Sequence, residues 1–197
     1  MDLASYRTRP VHTRDITVAT YPAGRDAVMV EGRLTDERRS GIFSITTGEE
    51  IPPGIVHDMV LRLLVTGPRL IIEDLEVEQV RLPRDVCRET VESLRPLIGQ
   101  SISTGFTSHV KKTFGGPRGC THLNALLIAM APAAVQGFWT HVAGRPISRS
   151  EASRFMDSRL LIDSCWVWRR GWPLDEEVRA ILADSFGNGA RDGKGEG

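Results

Sequence analysis

Ile55-Val56-His57-Asp58-Met59-Val60-Leu61-Arg62-Leu63-Leu64-Val65-Thr66, followed by Gly67-Pro68 and by a second run from Leu70 to about Val80, is the stretch on which the fold turns. Both runs are rich in β-branched and apolar residues, and the Gly-Pro pair between them is turn chemistry, so the segment reads as a hairpin. Upstream, Ile16-Thr17-Val18 and Val28-Met29-Val30-Glu31-Gly32-Arg33-Leu34 flank the turn formers Pro22, Gly24 and Asp26, which predicts another hairpin. Residues 38–54 lack sustained periodicity and read as a loop, with a short strand around Ile42 to Ile45.

Downstream of Leu82-Pro83 the period changes. Val86, Thr90, Val91, Leu94 and Leu97 fall at helical spacing, and the helix is expected to end near Gly99. A second helical segment is expected from around Ser103, broken by Gly105 and by Phe114-Gly115-Gly116-Pro117. A buried helix follows from Thr121 through Leu123, Leu126, Leu127 and Met130, which Pro132 interrupts or restarts before Val135, Phe138 and Trp139. Residues 148–161 are weakly helical, and 188–197 read as a disordered, glycine-rich tail. The expected class is α+β: an antiparallel sheet of two hairpins packed against C-terminal helices, with residues 1–187 forming a single domain.

The composition supports a globular core and narrows the partners. The 197 residues are 41% hydrophobic and 25% charged, and 25 Lys+Arg balance 25 Asp+Glu. That balance lacks the broad basic field that nucleic acid or an anionic membrane would attract, so neither partner is expected. No signal-peptide pattern and no apolar run of about 18 residues is evident, and a cytoplasmic location is expected. Cys87, Cys120 and Cys165 are odd in number and widely spaced, which predicts free thiols. Trp139, Trp166, Trp168 and Trp172 offer aromatic surface for a homodimer contact.

Candidate chemistry centres on two short motifs. In the strand that decides the fold, alternation sends Asp58, Val60 and Arg62 to one face and His57, Met59, Leu61 and Leu63 to the other, unless His57-Asp58 lies in the approach to the strand. The plainer alternative is that Asp58 pairs with Arg62 or caps a turn while His57 packs at the sheet end. Cys120 follows a glycine-rich turn and precedes a helix, where unpaired backbone N–H groups favour a thiolate. His122, two residues on, can share a centre with it at the start of the helix, or else Cys120 is buried and His122 is bonded to backbone. Cys87 lies between Arg84 and Arg88 near the start of the first helix, and Cys165 has tryptophan neighbours. His12, beside Arg14 and Asp15, is the most distinctive of the remaining histidines. There is no Walker loop, no dinucleotide fingerprint, no nucleophile elbow and no H-E-x-x-H.

Val56-His57-Asp58-Met59, a cysteine after the second hairpin at Cys87, and Gly119-Cys120-Thr121-His122-Leu123 together resemble bacterial domain-of-unknown-function family 2889, over most of residues 10–175. That family looks distantly similar to the NifU, IscU and SufE-type iron–sulfur scaffold proteins. The resemblance implies a sheet followed by helices that gathers Cys, Asp, Cys and Cys at one end. Asp58 would match the scaffold aspartate, Cys87 the middle cysteine and Cys120 the last. The first scaffold cysteine has no counterpart around Pro53 to His57, and Gly119 stands where the scaffold has histidine.

A set drawn from His57, Asp58, Cys87, Cys120 and His122 suits a single zinc or iron ion. The expectation is therefore a metal-dependent enzyme, a hydrolase or lyase acting on a small molecule. Asp58, where it is not a ligand, would be the general base, and Arg62 or Arg118 would hold a substrate carboxylate. An iron–sulfur or sulfur-carrier accessory protein, and a non-catalytic binding domain, are the alternatives.

Overall fold

Alternation of apolar and polar residues builds the sheet. In the computed structural model, which describes residues 1–148, 150, 151, 163, 165–169, 171, 176 and 180, two long hairpins join edge to edge. Strand β1 (His12–Gly24) pairs with β2 (Ala27–Arg38), and after a small hairpin of β3 (Ile42–Phe43) and β4 (Glu50–Ile51), β5 (Gly54–Thr66) pairs with β6 (Ile71–Arg81). The four long strands form one antiparallel sheet in the order β1-β2-β5-β6. The architecture is α+β, as the periodicity predicts. The weak helix expected over 148–161 falls almost wholly outside the described residues, and the tail over 188–197 entirely so.

One face of the sheet is the core. Val28, Val30 and Leu34 on β2 and Met59, Leu61, Leu63 and Val65 on β5 are buried there. They meet Leu123, Leu126, Leu127, Met130, Ala134 and Phe138 of helix α2 (Thr121–Ala143). By length and composition alone α2 could cross a membrane, but its apolar residues are what the sheet is buried against. It lies close. A Cβ on Gly32 would come within 2.7 Å of the Met130 sulfur and 2.9 Å of Leu126, and one on Gly137 within 2.4 Å of Thr20.

Three expectations about the helices are corrected. The segment after Pro83 is helical but runs as 3-10 turns over Asp85–Leu97, a length unusual for that geometry. The Thr90 hydroxyl donates to the Cys87 carbonyl and the Ser93 hydroxyl to the Thr90 carbonyl, both at 2.6 Å, and Pro96 has no N–H to offer. These local bonds compete with the α-helical ladder. Gly105 does not break the next helix; it precedes it, with φ of 93°, and α1 (Phe106–Phe114) buries Phe106, Val110 and Phe114 at four-residue intervals. Pro132 neither interrupts nor restarts α2, because its ring sits on the exposed side of a continuous helix where water can satisfy the freed carbonyl.

Candidate metal centre

The core parity of the sheet continues past its last apolar residue into polar ones. On β2 the buried positions Val28, Val30, Gly32 and Leu34 are followed in phase by Asp36, and on β5 His57 precedes Met59, Leu61 and Leu63 in the same phase. Asp36 is the direct cross-strand partner of both Arg14 on β1 and His57 on β5. The three side chains therefore form a row across one end of the inner face. Immediately beyond it, the register between β2 and β5 shifts: Glu37 pairs with Ile55, so Val56 is an extra residue. Such bulges bend a strand and re-aim the neighbouring side chain.

His122 arrives from the other layer. It lies in the first turn of α2, which is tied to the end of α1 by Asn124 Nδ2 donating to the Phe114 carbonyl at 2.6 Å. Its ring stacks on that of His57, with centroids 3.7 Å apart and planes inclined by 29°. His57 Nδ1 stands 3.1 Å from Asp36 Oδ2, and His122 Nε2 stands 3.4 Å from the same oxygen. Ligand-capable atoms of Asp36, His57 and His122 all lie within 4.8 Å of one another.

The electrostatics suit a cation. Asp36 is only 2% exposed and accepts a bidentate pair from Arg14, Nε to Oδ1 at 2.6 Å and Nη2 to Oδ2 at 2.8 Å. That hydrogen bonding holds its carboxyl below the usual carboxylate range against the opposing pull of burial, with smaller help from the two histidines. Burial pushes both imidazoles below the ordinary histidine range; for His122 the neighbouring His57 adds to the effect. An ionised carboxylate beside two neutral imidazoles is a metal-ligating donor set. His57 Nδ1 is moreover buried without a hydrogen-bond partner, its approach to Asp36 being misdirected for one. Cys120 Sγ lies 3.7 Å from His122 Nδ1. In the tautomer that carries its proton on Nδ1, directed at that sulfur, His122 Nε2 would present its lone pair to the group, as outer partners of a ligating histidine arrange it.

The sequence-predicted residues are thus divided. His57 and His122 come together. Cys120 touches His122 but does not join the three-residue group, and neither does Cys87, whose carbonyl receives bonds from Gln79 and Thr90. Asp58 projects to the opposite face of the sheet, where Arg33 grips it with bonds of 2.9 and 2.6 Å. Arg62 shares that outer face and is held by Glu31, Glu76 and Glu78. Arg118 bonds to the carbonyls of Lys112 and Thr113. Asp36 and Arg14 are the residues that sequence reasoning missed; an acidic residue in phase with four core positions was the available signal for the first.

The three-residue group opens onto a cavity of about 550 Å³ lined by Val11, His12, Arg14, Arg38, Ile42 and Val56, among others. Fold and site together define an α+β protein with a histidine, histidine and carboxylate group where an antiparallel sheet meets the start of a core helix. The chain belongs to the family described as "Protein of unknown function (DUF2889)", which matches residues 12–136. It matches no curated protein and no solved structure.

Proposed function

We propose that the protein is a metal-dependent enzyme acting on a small molecule, with Asp36, His57 and His122 holding one zinc or iron ion. The observation that carries this reading is the convergence of three donors of the right chemistry, one of them an orphaned buried nitrogen, on a cavity of about 550 Å³. Ligands of a tetrahedral ion held at about 2.0–2.1 Å lie about 3.3 Å apart. The separations of 3.1 and 3.4 Å from Asp36 Oδ2 to the two imidazoles are of that size. Two imidazoles that share an ion turn their ring planes toward it, so binding is expected to widen the stacking angle.

Three protein ligands leave a position for water or substrate, and two histidines with a carboxylate suit either a zinc hydrolytic centre or a non-haem iron site. The ion would supply Lewis acidity and a water of lowered pKa. The chain's own residues hold the remaining roles. Arg14 keeps Asp36 ionised and aimed, Cys120 orients His122, and the apolar walls at Val11, Ile42 and Val56 exclude water from a bound molecule. The neutral overall charge supports a small-molecule partner over nucleic acid or membrane, and the three free cysteines suit a reducing cytoplasm.

The scaffold-like reading, in which the chain carries sulfur or an iron–sulfur cluster, asks for Asp58, Cys87 and Cys120 in one place. Asp58 is on the outer face, which weighs against it. The test is elemental analysis of protein purified without a metal-affinity tag, beside the double variant Asp36→Asn/His122→Ala. Near-stoichiometric zinc or iron that disappears in the variant is the expected result. Metal absent from both, or equal in both, overturns the proposal.

A further inference from the structure

Arg38 ends β2 on the inner face, two residues beyond Asp36, with His12 as its cross-strand partner. It lines the same cavity. One of its terminal nitrogens, Nη2, donates to the Pro52 carbonyl at 2.9 Å, which fixes the guanidinium against the loop before β5. Its Nε–H is buried and has no hydrogen-bond partner. A buried donor left unsatisfied is costly, more so when charged, so a small shift of the side chain that brings Nε–H against an acceptor from the cavity would be favourable. None of the ion pairs among the described residues involves Arg38, whereas its neighbour Arg39 is paired with Glu37.

The charge of the cavity agrees. Of its guanidinium and carboxylate groups, Arg14 and Asp36 cancel in their bidentate pair, and Arg38 is left over. In the metal-free cavity one uncompensated positive charge, among walls formed by Val11, Ile42 and Val56, matches a molecule with one negative charge and an apolar body. Without an ion, a dianion such as a phosphate monoester would leave one charge unmatched there. The planar fork of arginine is made for a carboxylate. Two residues of strand separate Arg38 from Asp36 by about 7 Å, so a carboxylate held at Arg38 would place a group a few bonds away beside Asp36, His57 and His122.

We infer that Arg38 is the substrate-carboxylate anchor of this pocket, and that the substrates are small monocarboxylates with an apolar body. This rests on the cavity being the substrate site, but not on the ion. Arg38 is a binding residue, replacing the Arg62 and Arg118 that the sequence suggested.

The experiment is titration of the full-length protein, after dialysis against EDTA and again after zinc loading, with benzoate, benzamide and inorganic phosphate as probes. Binding is read by calorimetry and by the arginine Nε–H resonances. Benzoate is expected to bind the metal-free protein at least tenfold more tightly than benzamide or phosphate, shifting one arginine Nε–H signal. Arg38→Gln should lose that tenfold preference with its zinc content and its thermal melt unchanged, and Arg38→Lys should recover part of it. Equal binding of benzoate and benzamide by the metal-free protein, its tighter binding of phosphate, or full benzoate affinity in Arg38→Gln would each overturn the inference. Should Arg38→Gln fail to fold, the wild-type comparison of the three probes and the identity of the shifted signal still decide it. Benzoate selectivity in a protein that takes up no zinc would support the anchor and break only the metal reading.

Discussion

On the outer face of the sheet Asp58 is gripped by Arg33; on the inner face, one residue away along the β5 ladder, Asp36 is gripped by Arg14. The two pairs have the same bidentate geometry and opposite surroundings. Around Asp58 the guanidinium groups are all engaged, because Arg33 holds Asp58 and Arg62 reaches Glu31, Glu76 and Glu78, and no imidazole approaches within ion-pair distance among the described residues. Around Asp36 two imidazoles with depressed basicity crowd the same carboxylate, one of them with an unpartnered nitrogen. An ion pair is therefore a poor indicator of function by itself. What separates the faces is whether donor atoms are left over after the pairing is complete.

The comparison breaks most sharply under metal titration. His57→Ala or His122→Ala should weaken zinc binding at least a hundredfold, while Asp58→Asn leaves it unchanged; loss of binding in Asp58→Asn would show that the outer face takes part. The same Asp58→Asn substitution should act on stability instead. Asp58 is 6% exposed and its partner Arg33 about half exposed, so a loss of about 1–3 kcal/mol in urea unfolding is expected. A loss of zinc affinity of about tenfold is expected for Cys120→Ala, as for other outer partners of a ligating histidine, with stability nearly unaltered. An effect as large as that of His122→Ala would make Cys120 a ligand.

The smallest expected effect sharpens the contrast through pH. In metal-free protein His57 and His122 have basicity below that of the unfolded chain, so the unfolded state binds more protons as pH falls through the ordinary histidine range near 6.5. Stability should therefore be full above about pH 7 and decline as acid is added through that range and on to the lowered folded values. Below the usual carboxylate range Asp36 adds its own loss, since its folded value is also lowered. Thermal melts at pH 7.5 and 5.5 check this, and His57→Gln should flatten the difference. Identical slopes in both proteins would assign the acid loss elsewhere.

How much of this could be seen in the sequence follows from the range of the forces involved. The four strands were legible because alternation and turn residues are local, and the division of His57 and Asp58 between faces followed from the two-residue period. The 3-10 character of Asp85–Leu97 was not, since the apolar spacing of Val86, Thr90, Val91, Leu94 and Leu97 says nothing of the hydroxyl-to-carbonyl bonds that tighten the turns. His57 and His122 were legible as polar residues beside motifs. Their true companion was hidden, because pairing Asp36 with His57 depends on the β2–β5 register and on one extra residue at Val56, which are set by tertiary packing. Asp58, its neighbour in the motif, drew attention by adjacency alone.

The contact of α2 with the sheet has a mechanical meaning for the group of Asp36, His57 and His122. The helix, about 34 Å long, packs closely at Gly32 against Met130 and Leu126 and again at Gly137 against Thr20, and its first turn is pinned by buried Leu123 and by the Asn124 bond to Phe114, so His122 is held at a set height over Asp36 and His57. Asp36 and His57 are fixed to the floor, His122 to the beam, and the gap between them is the thickness of the helix–sheet joint. The spacing of that group is then set in part four residues along the strand from Asp36, by the absence of a methyl group at position 32.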